Sequence, residues 1–382
     1  MIYVHIPFCR TFCTYCDFYS EVAARCRGAE DAARQDELFA RFSDALVAEV
    51  KVRGHEITDF VNTLYIGGGT PSVLPLYVLE RLLDALTESG HGGPYEEFTV
   101  EVNPEDIVEK GVPYVQALLK LGVNRISMGV QSFDDGILKF MNRRHDAETA
   151  RKAYSILEEA GVRNISIDLI FGLPQLSDEQ WADSLNDALN ISSSGIRPQH
   201  ISAYQLSVEP GSMLAKMVEK GRFEEASEEL CEHQYSMLCD ALARAGYRHY
   251  EISNFARPGY EAVHNSAYWK HVPYVGFGPG AHSYTDSGSR QWNLPDLLAY
   301  MKDPSSVQES EALDEEQLVL EKIMLALRTD AGISAAFLED HCDPHALERA
   351  LEAGNLVRTP LDRYRIPENR FFVSDSIIAD IV

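Results

Sequence analysis

No apolar run in this chain of 382 residues approaches the ~18 residues needed to cross a bilayer, and charges interrupt every window. Nothing in it therefore reads as an integral membrane segment. Cationic side chains are scarce: 34 Lys and Arg stand against 59 Asp and Glu, a net charge of −25. Non-specific binding to DNA or RNA relies on neutralising phosphates with cations, so nucleic acid is not an expected partner, although one small positive pocket remains compatible. There is no internal repeat and no low-complexity tract. Met1 stands almost directly before a strand-like segment, so no signal peptide is expected. At 45 % hydrophobic and 24 % charged residues the chain is neither disordered nor fibrous. These limits leave an acidic α/β protein of two or three domains, or one large domain with an appendage, expected in the cytoplasm. No amphipathic anchor is evident, though a peripheral meeting with a membrane fits.

Cysteine is also sparse, seven in all, and unevenly spread. Cys9, Cys13 and Cys16 fall within eight residues, a poor disulfide framework in a long chain and a good metal-binding one. Zinc usually takes paired Cys-x2-Cys arms, and no second arm follows. Three thiolates on one loop can instead hold three irons of a cubane and leave the fourth open to a ligand. Buried free thiols are the plainer reading of the same residues. Cys26, Cys231, Cys239 and Cys342 read as ordinary core or surface residues. Cys26 and Cys231 are conceivable thiolate ligands with no motif behind them.

Short β-rich runs at 2–6, 63–67, 98–102, 125–129, 164–170 and 200–206 alternate with amphipathic stretches. Leu38, Phe39, Phe42, Leu46 and Val50 recur at helical spacing, as do Val78, Leu79, Leu82, Leu83 and Leu86. Further helices are expected at 112–121, 147–160 and 177–190, the last opened by Ser177 and Gln180 as a capping box. Six βα units call for a parallel sheet covered by helices, curled into a (βα)6 partial TIM barrel with chemistry at the C-terminal strand ends. The cysteine loop follows the first strand and Gly67-Gly68-Gly69-Thr70-Pro71 the second. Glu101 closes the third, Gln131 follows the fourth, and Asp168 lies near the end of the fifth. The glycine run lacks the lysine of a phosphate-binding loop. By itself it could be a turn, Glu101 or Asp168 a local cap, and Arg143 a solvated charge.

The pattern changes near residue 209. We expect a core over 1–210, an extension over 211–305 and a helical, winged-helix-like module over 306–382. Helices are expected at 213–220 and 225–245, then an aromatic stretch at 260–284 and a charged linker at 309–316. Helices at 316–327 and 344–353 and short strands at 356–358 and 364–366 complete the tail.

Together, Tyr3-Val4-His5-Ile6-Pro7-Phe8-Cys9, the glycine run, Met128-Gly129-Val130-Gln131-Ser132-Phe133 and Ile167-Asp168-Leu169-Ile170-Phe171-Gly172-Leu173-Pro174 resemble the radical S-adenosylmethionine (SAM) superfamily. More narrowly, they resemble the branch that holds oxygen-independent coproporphyrinogen III oxidase and its heme-chaperone paralogues. The resemblance implies a [4Fe–4S] cluster on Cys9, Cys13 and Cys16, with SAM on its open iron as the source of a 5′-deoxyadenosyl radical. It places Tyr3, Gly67, Gly68, Gly69, Thr70, Glu101, Gln131, Arg143 and Asp168 near SAM. Glycines let backbone approach the methionine moiety, and Arg143 suits a carboxylate.

Two departures weigh against the oxidase. It carries a further cysteine where Phe18 stands here, and an N-terminal extension that this chain, opening Met1-Ile2-Tyr3, does not show. His264-Asn265-Ser266-Ala267-Tyr268-Trp269 matches a motif tied to heme binding in the chaperones, which makes His264 the candidate heme contact, with Asn265, Tyr268 and Trp269 around it. The same residues also read as a hydrogen-bonded histidine among core aromatics. The resemblance thus implies a heme chaperone that delivers heme to an apo-hemoprotein such as a respiratory enzyme, with an electron donor as second partner. The oxidase, which decarboxylates coproporphyrinogen III, and a radical enzyme for another substrate are the alternatives.

Overall fold

The computed structural model describes residues 1–23 and 29–382; Cys26 lies outside the described residues. Six strands pair in chain order, all parallel: β1 (Ile2–Ile6), β2 (Thr63–Gly68), β3 (Glu97–Val102), β4 (Arg125–Gln131), β5 (Ile165–Phe171) and β6 (His200–Gln205). Val4, Ile66, Val100, Met128 and Leu169 are fully buried. This is what near-continuous apolar runs achieve when both faces of a parallel sheet are covered. The covering helices are α1 (Ala29–Arg53), α2 (Leu76–Glu88), α3 (Pro104–Lys120), α4 (Ala147–Ala160) and α5 (Asp178–Leu189). The capping box of Ser177 and Gln180 opens α5 as expected. The fold is α/β, a partial barrel.

Three differences from the expected layout have physical causes. Helix α3 starts at Pro104, eight residues before the amphipathic stretch, and breaks at Gly111 (φ 67°). Its first part carries Glu105, Asp106, Glu109 and Lys110, so apolar periodicity cannot report it; proline at the first helical position can. Residues beyond 210 also join the barrel sheet. The strands β7 (Arg248–Glu251) and β8 (Asn254–Ala256) extend it antiparallel beyond β6, while β9 (Val275–Phe277) lies parallel to β1 on the opposite edge. Finally, the first half of the charged stretch expected as a linker is a strand, and its last two residues open a helix. Gln308–Ala312 pairs antiparallel with Ser289–Asn293, which pairs with His282–Tyr284. It is exposed along its length, and charges on an edge strand discourage further pairing, so it has no hydrophobic alternation to read.

A buried polar knot holds β9 against α1. Arg53 pairs with Glu49 at 2.7 Å and donates to the Gly276 carbonyl at 2.9 Å. Glu49 also accepts from Asn293 Nδ2 and the Tyr300 hydroxyl, at 2.7 and 2.6 Å. The tail carries helices Glu315–Leu327, Ala335–His341, Pro344–Glu352 and Ser374–Ile381 around a three-stranded sheet of Ile333–Ser334, Arg363–Arg365 and Val357–Arg358. Among the described residues, no helix is long and apolar enough to cross a membrane.

Candidate cluster and SAM site

The loop after β1 is closed on itself and pinned to the barrel rim. Phe8–Cys9 pairs with Glu21–Val22, so Cys9 ends one of two short parallel strands and Cys13 and Cys16 lie between them. The Thr14 N–H donates to the Met141 carbonyl at 3.2 Å, Asn142 Nδ2 to the Phe12 carbonyl at 2.6 Å, and the Leu214 N–H to the Thr14 carbonyl at 2.7 Å. Cys9, Cys13 and Cys16 line a cavity of about 690 Å³ with Gly68, Gly69, Thr70, Glu101, Gln131, Arg143 and Asp168. All five strand ends thus contribute to one mouth.

The glycine run meets the cysteine loop directly. The Gly69 N–H donates to the Ile6 carbonyl at 2.7 Å. A Cβ at Gly69 would stand 2.7 Å from the Phe8 carbonyl oxygen and 3.1 Å from Cys9 Sγ, so no other residue fits. Gly68 (φ 103°) lies against the His5 ring. Gly67 is not among the residues lining the cavity: a Cβ there would strike Glu101 Oε1 and the Tyr65 ring at 2.8 Å, so its smallness makes room for Glu101.

A ring of polar contacts closes around the thiols. Thr70 Oγ1 lies 3.5 Å from Cys9 Sγ and accepts from Asn103 Nδ2 at 3.2 Å. Arg143 donates to Asn103 Oδ1 at 2.7 Å and to the Gly129 carbonyl at 2.8 Å, and reaches Cys13 Sγ at 3.4 Å. Burial opposes the Arg143 charge, but Tyr15, Cys13 and Glu105 outweigh it and hold the guanidinium above its ordinary range. Its Nε is buried without a partner among the described residues. Asn103 and Tyr65 escape the sequence reading. Asn103 directly follows β3, two residues after Glu101, so its place just past a strand end was the signal available for it.

Burial pushes Cys16 up to about 12, with the neighbouring thiols adding, and raises Cys9. Among the described residues no three Cys, His, Asp or Glu side chains converge on a single ion. A cubane takes its thiolates on separate irons, so thiols spread around a cavity wall beside a buried cation fit a cluster better than zinc. Across the mouth, burial raises Glu101 to about 7. A 2.7 Å bond from the Tyr65 hydroxyl relieves part of that and the nearby Asp168 carboxylate adds to it. Asp168 is raised by burial and relieved by Ser202, Arg125 and Ser127. Gln131 reaches the cavity because β4 bulges after Gly129, leaving Gln131 at φ 68°. Such bulges re-aim side chains beside functional sites.

Two expected residues lie elsewhere. Tyr3 does not line the thiol cavity. It lines a second one of about 550 Å³, and its hydroxyl sits 3.1 Å from His5 Nδ1. His264, in the short helix Val263–Trp269, is 1 % exposed. Its Nδ1 bonds Thr63 Oγ1 at 2.8 Å and its Nε2 bonds the Tyr268 hydroxyl at 3.0 Å. Burial lowers it to about 3, so the ring is neutral, with one donor and one acceptor, both engaged. As placed, His264 offers no nitrogen to heme iron. It stands between the cavities instead: Asn265 lines the first and Tyr268 the second, while Trp269 lines neither. Cys231 is a core residue, packed behind Gly172.

Comparison with known proteins agrees with this frame. Residues 3–188 match the radical SAM superfamily. Over 346 residues the chain is 34 % identical to the heme chaperone HemW of Synechocystis sp., covering 88 % of this chain and 79 % of that protein. The Bacillus subtilis heme chaperone HemW is 33 % identical over 340 residues, 87 % of this chain and 84 % of the relative. The fold matches coproporphyrinogen III oxidase (HemN) from Escherichia coli with a TM-score of 0.78, over 99 % of this chain and 89 % of that one, at 21 % identity.

Proposed function

Because this chain belongs to the radical SAM superfamily and, within it, to the HemW heme chaperone family, we propose that it binds heme and passes it to an apo-hemoprotein such as a respiratory enzyme. In this reading Cys9, Cys13 and Cys16 hold a [4Fe–4S] cluster, and the rest of the cavity holds SAM. When bound, the cluster supplies a low-potential electron, drawn from an external donor, and an open iron for the amino and carboxylate groups of SAM. The observation that carries the proposal is the interlock of Gly69 with the backbone before Cys9, beside a cavity that the thiols share with Glu101, Arg143 and Asp168.

The protein's own groups divide the work of binding. Arg143 presents a buried cation, with Nε unspent, to a carboxylate. Gly68 and Gly69 keep the wall thin enough for backbone to approach the ligand. Glu101 and Asp168 face ribose hydroxyls or the ammonium. Phe18 occupies the place where the oxidase has a further cysteine, and no side chain among the described residues replaces that thiol there.

The deciding experiment pairs two assays on anaerobically reconstituted protein. Saturable heme binding followed by transfer to an apo-acceptor is expected, without conversion of coproporphyrinogen III. Robust porphyrinogen turnover would overturn the proposal in favour of the oxidase.

Glu101 gives this site a pH signature. With a pKa of about 7 in the free protein, it must lose a proton to face an ammonium as carboxylate. SAM affinity is then expected to rise about tenfold between pH 6 and pH 8, and Glu101→Gln to bind weakly and without that slope. Stability runs the other way. The folded state keeps a proton that the unfolded chain has already released between pH 4.5 and 7, so this group's contribution falls as pH rises through that window. At pH 8 Glu101→Gln should stabilise the ligand-free protein by about 1–3 kcal/mol, measured by urea unfolding. A flat affinity profile in the wild type would remove Glu101 from the ligand's cationic end.

A further inference from the structure

The first turns of α3, ahead of the break at Gly111, carry a carboxylate that the cluster and SAM contacts leave unused. Asp106 is 1 % exposed, and a charge buried that far persists only where partners meet it. Two do. Ser72 Oγ donates to Asp106 Oδ2 at 2.7 Å, and Arg10 Nε stands 3.1 Å from Oδ1 as an ion pair. Oδ1 has no hydrogen bond among the described residues, so that oxygen depends on the Arg10 charge. Arg10 directly follows Cys9, and Ser72 lies in the short turn Pro71–Val73 that follows the glycine run. One carboxylate therefore ties together the two segments that meet at Cys9.

Neighbouring groups hold the same junction from other sides. Lys110, one turn further along α3, donates to the Ser72 and Leu74 carbonyls at 2.5 and 3.0 Å. Glu109 also pairs with Arg10, at 2.5 Å, but on the exposed side. From Asp106 a chain of hydrogen bonds leads to the thiol. The Ser72 hydroxyl gives its proton to Asp106 and accepts from the Asn103 N–H at 3.2 Å. Asn103 Nδ2 donates to Thr70 Oγ1 at 3.2 Å, and Thr70 directs its own proton to Cys9 Sγ, 3.5 Å away. Asn103 thus donates in both directions, toward the carboxylate through its backbone and toward the sulfur through its side chain. The carboxylate at one end fixes the donor at the other.

We propose that Asp106 is a positioning residue for the cluster: by holding Ser72 and Arg10 it keeps the Thr70 hydroxyl donating to Cys9 Sγ, and so sets the reduction potential of the cluster bound to that thiolate. The proposal rests on the reading of Cys9, Cys13 and Cys16 as cluster ligands and adds to it a residue that does not line the cavity. Hydrogen bonds to the sulfurs are among the factors that fix the potential of an iron–sulfur cluster, and partners of metal ligands tune affinity as well. A donor on a thiolate stabilises the reduced, more negative cluster. Losing it makes reduction harder.

The test is an anaerobic redox titration of reconstituted, SAM-free protein, followed by electron paramagnetic resonance of the reduced cluster, beside iron retention against a chelator. Asp106→Asn keeps the size of the side chain and removes its charge, so it holds Arg10 and the Ser72 proton more weakly. Ser72→Ala removes the hydroxyl between Asp106 and Asn103. Both should move the potential to more negative values, the direction expected for Thr70→Val, which removes the donor itself. Both should also release iron at about tenfold lower chelator concentration, the lower end of the range for losing a partner of a metal ligand. The double variant should shift the potential no further than Ser72→Ala alone, because the two act through one chain. Glu109→Gln, which loosens Arg10 only on its exposed side, should keep the wild-type potential. Urea unfolding of the iron-free proteins measures what each substitution costs the fold. A residue that only supports the fold would change that and leave the potential unmoved. Folded Asp106→Asn and Ser72→Ala proteins with wild-type potentials and iron retention would overturn the proposal. A wild type that takes up no cluster would bring down the ligand reading, and this proposal with it.

Discussion

Cys13→Ala is expected to reduce the iron content of anaerobically reconstituted protein from about four per chain to background, and to abolish SAM binding with it. The thiol has no substitute. Among the described residues, Cys9, Cys13 and Cys16 are the only cysteines lining the cavity, and Cys342 is buried within the C-terminal region. The loop itself should survive, because its anchors are backbone bonds that do not involve the Cys13 side chain: Thr14 to Met141, Leu214 to Thr14, and the pairing of Phe8–Cys9 with Glu21–Val22. Unfolding in urea should therefore be nearly unchanged while iron and SAM are lost. This combination separates ligation from folding. Cys342→Ala should keep its iron, although as a buried residue it will lose some stability. A Cys13→Ala protein that still carried the full iron complement would contradict the ligand assignment.

The barrel was legible because parallel strands covered on both faces must be apolar along their length, and Ile2–Ile6, Arg125–Gln131 and Ile165–Phe171 are close to the expected runs. The meeting of glycine run and cysteine loop was legible for a related reason, since consecutive parallel strands bring their C-terminal ends to one rim. What escaped depends on contacts between distant residues. Nothing local in Val275–Phe277 announces that it will lie parallel to β1; that placement depends on Glu49, Arg53, Asn293 and Tyr300 meeting in a buried knot. Asn103 escaped because an asparagine before a proline reads first as a helix start, and only the fold reveals it bridging Thr70 and Arg143.

The histidine motif is the converse case, a pattern visible in the sequence whose hydrogen-bond partners are not. Spacing in a helix puts His264 and Tyr268 on one face, and the Tyr268 hydroxyl then takes the nitrogen that iron would need. Whether an imidazole is open or engaged depends on Thr63, 201 positions away.

Arg143→Ala is expected to damage both the fold and the SAM site, and the two effects can be separated. The side chain donates to Asn103 Oδ1 and the Gly129 carbonyl and touches Cys13 Sγ, so truncation strips three groups of their partner at once. Removing one member of a buried charged network costs about 3–5 kcal/mol, and urea unfolding should show a loss of that order. Asn103 would then be free to leave Thr70, loosening the contact over Cys9. Arg143→Lys separates charge from shape. An ammonium can restore the cation beside Cys13, but not the planar fork that reaches Asn103 and Gly129 together while leaving Nε for a ligand carboxylate. The lysine variant should recover most of the reconstituted iron yet bind SAM about 10–100-fold more weakly than the wild type, the range expected when a strong charge-assisted pair is lost. Equal SAM affinity in Arg143→Lys and wild type would show that the guanidinium serves the cysteine loop alone, and the ligand's carboxylate would have to be sought elsewhere on the rim.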